Sequence, residues 1–277
     1  MLHTATADEL PAIRRLLARS NDAPYDVDLV AAEKCFGRGV AGEPVARIFG
    51  GHDDDDADYY TGLVVTCGKY VRLLAVDRER RGRGIGSTLL ADAESRGATT
   101  IAAEPGNYFT PGVVDSDEGT LQFLRNRGYR ETAFTHNLEA PLGNLPASNA
   151  RRARPDERDR VLDFIERQFG RIWRFETARA FDADPPAIFV VEENGRMAGF
   201  AAHDANNRGL GSFGPTGVDA TLRGRGHGRR LLLASLADLA RLGYERAIIP
   251  WTDAVEFYER SCGAVVRARF VTMAKSG

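Results

Sequence analysis

The chain has 277 residues, which leaves room for one large domain or two of ordinary size. Its 37 basic and 39 acidic residues leave a net charge of −2, so the charge gives no reason to expect a nucleic acid or an anionic membrane surface as partner. No apolar run approaches the ~18 residues of a membrane span, and the start lacks the basic and apolar segments of a secretion signal.

The predicted elements begin with an amphipathic helix that carries an acidic pair at its head, Asp8-Glu9. Extended segments, a helix, a further strand and a last helix follow it. The segments of this first half are 5–20 (helix), 44–49, 59–66 and 70–76 (strands), 87–97 (helix), 99–104 (strand) and 122–129 (the helix QFLRNRGY).

The second half repeats this order. Its opening helix also starts with an acidic pair, Asp156-Glu157, and the turn ENGR at 193–196 is typical of a hairpin. The segments are 153–168 (helix), 187–192, 197–203 and 210–218 (strands), 229–243 (helix), 245–251 (strand) and 256–264 (the helix EFYERSCGA).

A glycine-rich motif gives the clearest internal repeat. Residues 76–86 read VDRERRGRGIG and residues 218–228 read VDATLRGRGHG, an offset of 142 (218 − 76). Because three segments recur in the same order, the sequence predicts two copies of one domain. The stretch APLGNLPASN has linker composition. We therefore predict domains at 1–139 and 150–277, joined by a linker at 140–149.

The repeated motif lies between a strand and a helix, where it can bind phosphate. Glycines let the backbone approach an anion closely, and the N–H groups and dipole of the helix start favour negative charge. GxGxxG and GK[ST] are both absent, so the motif is neither a Rossmann fingerprint nor a P-loop. A diphosphate is the expected ligand, and a surface turn is the alternative. The predicted binding residues are Val76, Arg81, Gly82, Arg83, Gly84, Ile85 and Gly86 in the first copy and Val218, Arg223, Gly224, Arg225, Gly226, His227 and Gly228 in the second.

The pattern [QR]-x-x-G-x-[GA] after a strand resembles the acetyl-CoA pyrophosphate loop of the GNAT acetyltransferase superfamily, once per half. The resemblance implies an α/β chain of the α+β type. Each of its two tandem domains would have a mixed, mainly antiparallel sheet that splays between the fourth and fifth strands, flanked by helices. It implies acetyl-CoA as co-substrate, with the pantetheine arm near Leu74–Val76 or Thr216–Val218.

The same resemblance implies a tyrosine that protonates the departing thiolate. Tyr258 in FYE matches this position, whereas the first half has Leu124. Tyr258 stands five residues before Gly263, one more than the family spacing, and a tyrosine that merely packs the helix is the alternative. Candidate general bases are His203, Asp253 and Glu104, although a strand-end His203-Asp204 pair is more often a turn cap.

The first half also carries a long insertion, EPGNYFTPGVVDSDEG, at 104–119. Its Tyr108, Phe109 and Asp115 are predicted to bind a cationic amine or a sugar face; a purely structural loop is the alternative. The acidic run at 52–58 lacks the glutamate of a calcium loop and is predicted to be a solvated hairpin turn.

The resemblance implies an N-acetyltransferase, and we expect it to act on a primary amine of a small molecule. Four segments are similar to those of a tandem subgroup that includes glucosamine and glucosaminide N-acetyltransferases. They are PGVVDS (111–116), GPTGVD (214–219), GYERAIIPW (243–251) and FYERSCGA (257–264). Mycothiol synthase is another tandem member, so an amino-sugar thiol precursor is a competing acceptor. A protein-lysine acetyltransferase and a non-catalytic acyl-CoA sensor are the other readings.

The sequence gives no sign of a metal site, because its histidines are scattered and its three cysteines match no zinc motif or disulfide framework. Unpaired thiols favour a cytoplasmic protein. We expect a small-molecule amine as partner, neither nucleic acid nor membrane, and leave the oligomeric state open.

Overall fold

The computed structural model describes residues 1–20, 26–50 and 59–275. The acidic run at 52–58 lies outside the described residues. Contacts divide the chain into two compact units, the first formed by Met1–Phe134 with Phe270–Gly277 and the second by Thr135–Arg269.

The first unit is a mainly antiparallel sheet with helices. Its strands are β1 (Leu2–Thr4), β2 (Val45–Gly50), β3 (Tyr60–Cys67), β4 (Tyr70–Val76), β5 (Thr100–Ile101) and β6 (Val113–Val114), and its helices are α1 (Leu10–Ser20), α2 (Val27–Phe36), α3 (Ile85–Ser95) and α4 (Glu118–Arg125). Strands β1 to β4 pair antiparallel in chain order, and β5 joins β4 in parallel. Apolar side chains of β4, α3 and α4 share one buried core.

The second unit repeats this architecture. Its elements are β7 (Arg130–Pro141, which begins in the first unit), β8 (Arg151–Arg152), α5 (Arg158–Phe169), α6 (Arg171–Ala178), β9 (Ile188–Glu193), β10 (Arg196–His203), β11 (Phe213–Val218), α7 (His227–Arg241), β12 (Arg246–Thr252), α8 (Val255–Cys262) and β13 (Val265–Ala274, which ends in the first unit). Strands β8 to β11 pair antiparallel, and β12 pairs antiparallel with residues 136–141 of β7. The predicted fold class is therefore confirmed.

The helices that open the two units begin in the same way. The side chain of Glu9 accepts a hydrogen bond from the backbone N–H of Thr6, and that of Glu157 accepts one from Arg154. Each bond satisfies a donor that a helix start would otherwise leave unpaired. The predicted repeat of the acidic pairs thus reflects a shared helix start.

The units exchange their final strands. The last residues of β13 pair with β5 and β6 of the first unit, as in Met273 opposite Ile101. Residues 136–141 of β7 belong instead to the sheet of the second unit. The boundaries between the units accordingly fall at residues 134–135 and 269–270, whereas the sequence placed one linker at 140–149. Composition marks a turn-rich segment but does not reveal which sheet a strand joins.

Within the described ranges, no helix is long and apolar enough to cross a membrane. The same residues contain no group of three or more His, Cys, Asp or Glu that could hold a metal ion.

Candidate active site

The fourth strand of each unit bulges at the same place. In β4, Val65 lies opposite Leu73 and Thr66 opposite Val71, so Arg72 is an extra residue. In β11, two residues, Gly214 and Pro215, stand opposite Ala202 alone. Arg72 and Gly214 differ by 142 (214 − 72), the offset of the glycine-rich motifs. Bulges often re-aim the backbone next to active sites.

Beyond each bulge the fourth and fifth strands part. Strand β4 pairs with β5 only at Tyr70 and Val71, and the second unit has a single parallel bridge between Ser212 and Ile248. Among the described residues, no strand pairs with that side of 73–76 or of 214–218. Both units therefore contain the predicted splay, which leaves backbone polar groups facing a gap.

The two glycine-rich loops have the same backbone geometry. Gly84 (φ +84°) and Gly226 (φ +78°) are the N-caps of α3 and α7, and Gly82 and Gly224 also have positive φ. A Cβ added at any of these four glycines would meet nothing within 4 Å. The open space and the helix starts form a cradle for an anion.

The first arginine of each loop closes it in the same way. The Nε of Arg81 donates to the carbonyl of Val76 at 3.3 Å, and the Nε of Arg223 donates to the carbonyl of Val218 at 3.4 Å. The contact links the loop to the end of the fourth strand in both units. The two loops, which the sequence predicts to be equivalent, thus also share this hydrogen bond.

The second loop differs in its charge contacts. Arg225 pairs with Glu193, and Nε2 of His227 lies 2.7 Å from the other oxygen of that carboxylate. The hydrogen bond with His227 is the largest influence that lowers the pKa of Glu193. In the first loop, Arg83 is exposed and has no ion-pair partner among the described residues. A carboxylate therefore stands beside the anion cradle of the second unit.

Tyr258 lies on α8 at the fifth-strand side of the gap. Its side chain is 7% exposed, and its ring packs edge-on against Phe213 at 6.1 Å. Burial, with a smaller contribution from Cys262, raises the pKa of Tyr258 to about 12 against the opposing effect of Thr252. The hydroxyl is therefore fully protonated at neutral pH.

The neighbouring phenylalanine joins α8 to the loop. The ring of Phe257 lies 3.5 Å from where a Cβ would stand on Gly228, and Phe123 lies at the same distance from Gly86. Leu124, which follows Phe123, is 1% exposed and carries no proton donor. A groove of about 640 Å³, within the range of small-molecule sites, is lined by Asp253, Ala254, Val255, Glu256, Phe257, Arg260 and Ser261.

The three candidate bases lie in different surroundings. His203 is 1% exposed, and its Nε2 lies 2.8 Å from Asp238 on α7. Burial lowers the pKa of His203 more than Asp238 raises it. The ring is thus enclosed and paired with a carboxylate, and a proton-transfer role of His203 stays a prediction. Asp253, in contrast, is exposed and lines the groove.

Glu104, the third candidate, is held by Arg72. The carboxylate accepts from Nε of Arg72 at 2.5 Å and from Nη2 at 2.9 Å, and both side chains are buried. Arg72 also donates to the carbonyls of Lys34 and Gly37. This pair was not predicted, since the two residues are 32 positions apart in the sequence. The available signal was an arginine within the otherwise apolar strand segment YVRLLAV.

The insertion of the first half is largely enclosed. Tyr108 and Phe109 are 6% and 4% exposed, while Asp115 is exposed. In this structure neither aromatic ring offers a free face, so the buried rings favour the structural alternative for the loop. A role of the three residues in acceptor binding stays a prediction.

Residues 157–264 match the family described as Acetyltransferase (GNAT) family. This part of the chain is therefore an acetyltransferase domain of the GNAT family, a family of N-acetyltransferases. The matched segment lies within the second unit. No curated protein sequence matches the chain.

Solved structures extend the similarity to the whole chain. A glucosamine N-acetyltransferase region of a fungal multi-domain GH3 beta-N-acetylglucosaminidase has a TM-score of 0.78 at 19% identity, over 99% of this chain and 38% of that one. A GCN5-related N-acetyltransferase from Sphaerobacter thermophilus has 0.72 at 19%, over 99% and 95%. A tandem GNAT protein from the clavulanic acid biosynthesis pathway has 0.68 at 18%, over 99% and 97%. These similarities establish the fold of both units, and the chain spans well under half of the fungal protein.

Proposed function

We propose that the chain transfers an acetyl group from acetyl-CoA to a primary amine of a small molecule, with the chemistry in the second unit. The observation that carries this proposal is Tyr258, a protonated hydroxyl on the helix that follows the fifth strand, beside the strand gap. The first unit has Leu124 at the corresponding place. The three free cysteines support a cytoplasmic setting.

The loop and gap of the second unit fit acetyl-CoA. Gly224 and Gly226 leave open space at a helix start, where backbone N–H groups would donate hydrogen bonds to the diphosphate. The unpaired side of 214–218 would hydrogen-bond the amides of the pantetheine arm. When bound, acetyl-CoA supplies an activated thioester. Backbone N–H groups of the splayed strand would polarise the carbonyl of this thioester.

Tyr258 has the proton that the reaction needs at the end. A neutral amine forms the new C–N bond as the C–S bond breaks, the sulfur leaves with the electron pair, and Tyr258 protonates that thiolate. The proton lost by the amine passes to a base, for which exposed Asp253 is the best placed candidate. Much of the acceleration would come from holding the two reactants together.

An amino sugar is our first proposal for the acceptor. Two features support it: the sequence segment GYERAIIPW in the second half, and the structural similarity to a glucosamine N-acetyltransferase region. Exposed carboxylates at Asp253 and Glu256 line the groove and suit an acceptor that arrives as a cation.

The test is a screen of amines in which release of the CoA thiol is followed. The panel contains glucosamine, other amino sugars, polyamines, amino acids and a lysine-containing peptide. Turnover with a small amine supports the proposal. Turnover with the peptide alone would indicate a protein-lysine acetyltransferase. Binding of acetyl-CoA without turnover on any acceptor would indicate a sensor.

A further inference from the structure

The fifth strands of the two units can be aligned through their hydrogen bonds to the fourth strands. The N–H of Thr100 donates to the carbonyl of Lys69 at 3.0 Å, and the N–H of Ile248 donates to the carbonyl of Gly211 at 2.9 Å. Lys69 and Gly211 differ by 142 (211 − 69), the offset of the glycine-rich motifs. Thr100 and Ile248 are therefore equivalent, and the residues that follow them correspond at an offset of 148 (248 − 100).

The first unit joins its two strands one residue further than the second unit can. The N–H of Ala102 donates to the carbonyl of Val71 at 2.8 Å. At the offset of 148, the residue of the second unit that is equivalent to Ala102 is Pro250. Proline has no N–H, so the corresponding hydrogen bond cannot form. The gap between the fourth and fifth strands is therefore deeper in the second unit.

Side chains close the gap of the first unit at the same level. From the bulge of the fourth strand, Arg72 reaches Glu104, which lies just beyond the fifth strand, and the two form a buried ion pair. These two residues form a clasp across the gap. The equivalent residues of the second unit are Gly214 and Thr252, which carry no charge. A Cβ added to Gly214 would meet nothing within 4 Å, so the space at that bulge is open.

Buried polar groups hold the clasp in place. Arg72 donates to the carbonyl of Gly37 at 2.7 Å, and the side-chain amide of Asn107 donates to the same carbonyl at 3.0 Å. The ammonium group of Lys34 donates to Oδ1 of Asn107 at 2.8 Å. The charged and amide side chains of this cluster, Glu104 included, are at most 2% exposed. Since a buried charge that loses its partner is strongly destabilising, the clasp stays closed.

We propose that the first unit is a CoA-binding site that is indifferent to the acyl group. Its glycine-rich loop has the same backbone geometry as the second loop and binds the diphosphate, whereas the clasp fills the base of the gap, where the thioester end would have to enter. CoA and acetyl-CoA bind this unit with equal affinity. The site therefore responds to the total amount of CoA nucleotide, product as well as co-substrate, whichever amine the second unit acetylates.

Calorimetry on Gly226→Val, in which only the cradle of the first unit is left open, tests the proposal with CoA, acetyl-CoA and butyryl-CoA. The three dissociation constants should agree within about twofold. A larger difference between CoA and acetyl-CoA, such as the about fivefold that one hydrogen bond to the thioester carbonyl would give, overturns the proposal. A folded Gly226→Val that binds none of the three also overturns it. Should this variant unfold, the wild type carries the test, since one of its two sites should give equal constants.

The clasp itself is tested in the Gly226→Val background by Arg72→Gly combined with Glu104→Thr, which installs the residues of the second unit. The combination removes both charges together, so neither is left buried without its partner. It should give the first unit a preference of about fivefold between CoA and acetyl-CoA. A folded variant that stays indifferent would show that the clasp does not exclude the thioester, and would overturn the proposal.

A measurement on the intact clasp does not depend on the folding of that combined variant. Acetyl-CoA bound to an excess of Gly226→Val should react with hydroxylamine within about twofold of its rate in free solution, because the thioester stays outside the gap. A slower reaction would place the thioester inside the gap and refute the proposal. The proposed function has a separate readout, since it fails only if the wild type turns over none of the amines.

Discussion

Arg72 and Glu104 form a buried ion pair that joins the bulge of the fourth strand to the residue position just beyond the fifth strand in the first unit. The second unit has no such pair among its described residues. With the offset of 142, Gly214 is the residue of the second unit that is equivalent to Arg72. The fifth strands have a different offset: Ser212 pairs with Ile248 as Tyr70 pairs with Thr100, which gives 148 (248 − 100). With this offset, Thr252 is the residue equivalent to Glu104. One unit thus has an ion pair where the other has a glycine and a threonine.

We expect Glu104→Gln to destabilise the first unit by ~3 kcal/mol and to leave kcat nearly unchanged. Removal of one partner leaves the guanidinium of Arg72 buried without a counter-charge. Thermal unfolding measures the loss of stability, and initial rates measure kcat. A large fall in kcat at full stability would make Glu104 the general base.

Tyr258→Phe should lower kcat ~10²–10⁴-fold, the usual contribution of general acid catalysis, with little change in acetyl-CoA affinity. The ring and its packing on Phe213 remain, and only the proton donor is lost. Single-turnover rates isolate the chemical step. Leu124→Ala is the control for a change on the equivalent helix and should leave the chemical rate nearly unaltered. A Phe variant as fast as the wild type would remove Tyr258 from the mechanism.

The glycine loops allow the units to be tested separately. Gly84→Val and Gly226→Val each force a branched residue to adopt positive φ and fill the open space of one cradle. We expect calorimetry to show two acetyl-CoA sites in the wild type and one in each variant. Gly226→Val should abolish turnover, while Gly84→Val should keep most of it. The reverse pattern in folded variants would place catalysis in the first unit.

Glu193→Gln should tighten acetyl-CoA binding about fivefold at low salt. The substitution removes a negative charge beside the diphosphate cradle and releases Arg225, and the amide can still contact His227. A surface pair of this kind contributes little, and salt screens it. The gain should therefore shrink as ionic strength rises. Weaker binding would show that the contact preorganises the loop.

Acid should weaken the second unit through Glu157. The hydrogen bond from Arg151, the largest influence, lowers the pKa of Glu157 to about 2 in spite of burial. A depressed folded-state pKa gives stability that is complete above the unfolded value near 4.5 and is lost as the pH falls toward 2. Glu157→Gln should cost roughly 1–2 kcal/mol at pH 7 and progressively less between pH 4.5 and 2 in denaturant titrations. A cost that stays constant over that range would contradict this account.

The sequence predicted the features that depend on local pattern. The loops, the ENGR turn and the order of the remaining elements follow from glycine placement and periodicity, and Asn194 and Gly195 adopt the positive φ of that turn, whereas the second helix of each unit, α2 and α6, was not predicted. The burial of His203 and Tyr108 and the pairing of Arg72 with Glu104 depend on residues distant in sequence. No local pattern specifies them. The positive φ of Trp251 also escaped prediction, because the backbone N–H of this residue donates to Asn137, 114 residues away.

The exchange of final strands has a consequence for dissecting the protein. A fragment cut within 140–149 would keep β5 but lose the segment of β13 that pairs with it, as in Met273 opposite Ile101. The complementary fragment would lose residues 136–141 and leave β12 with an unpaired edge. Unpaired edges invite aggregation. The two halves of this duplicated chain therefore look separable at 140–149, yet a cut there leaves both sheets incomplete; the second unit is the continuous segment Thr135–Arg269, and the first needs residues 270–277 joined to 1–134.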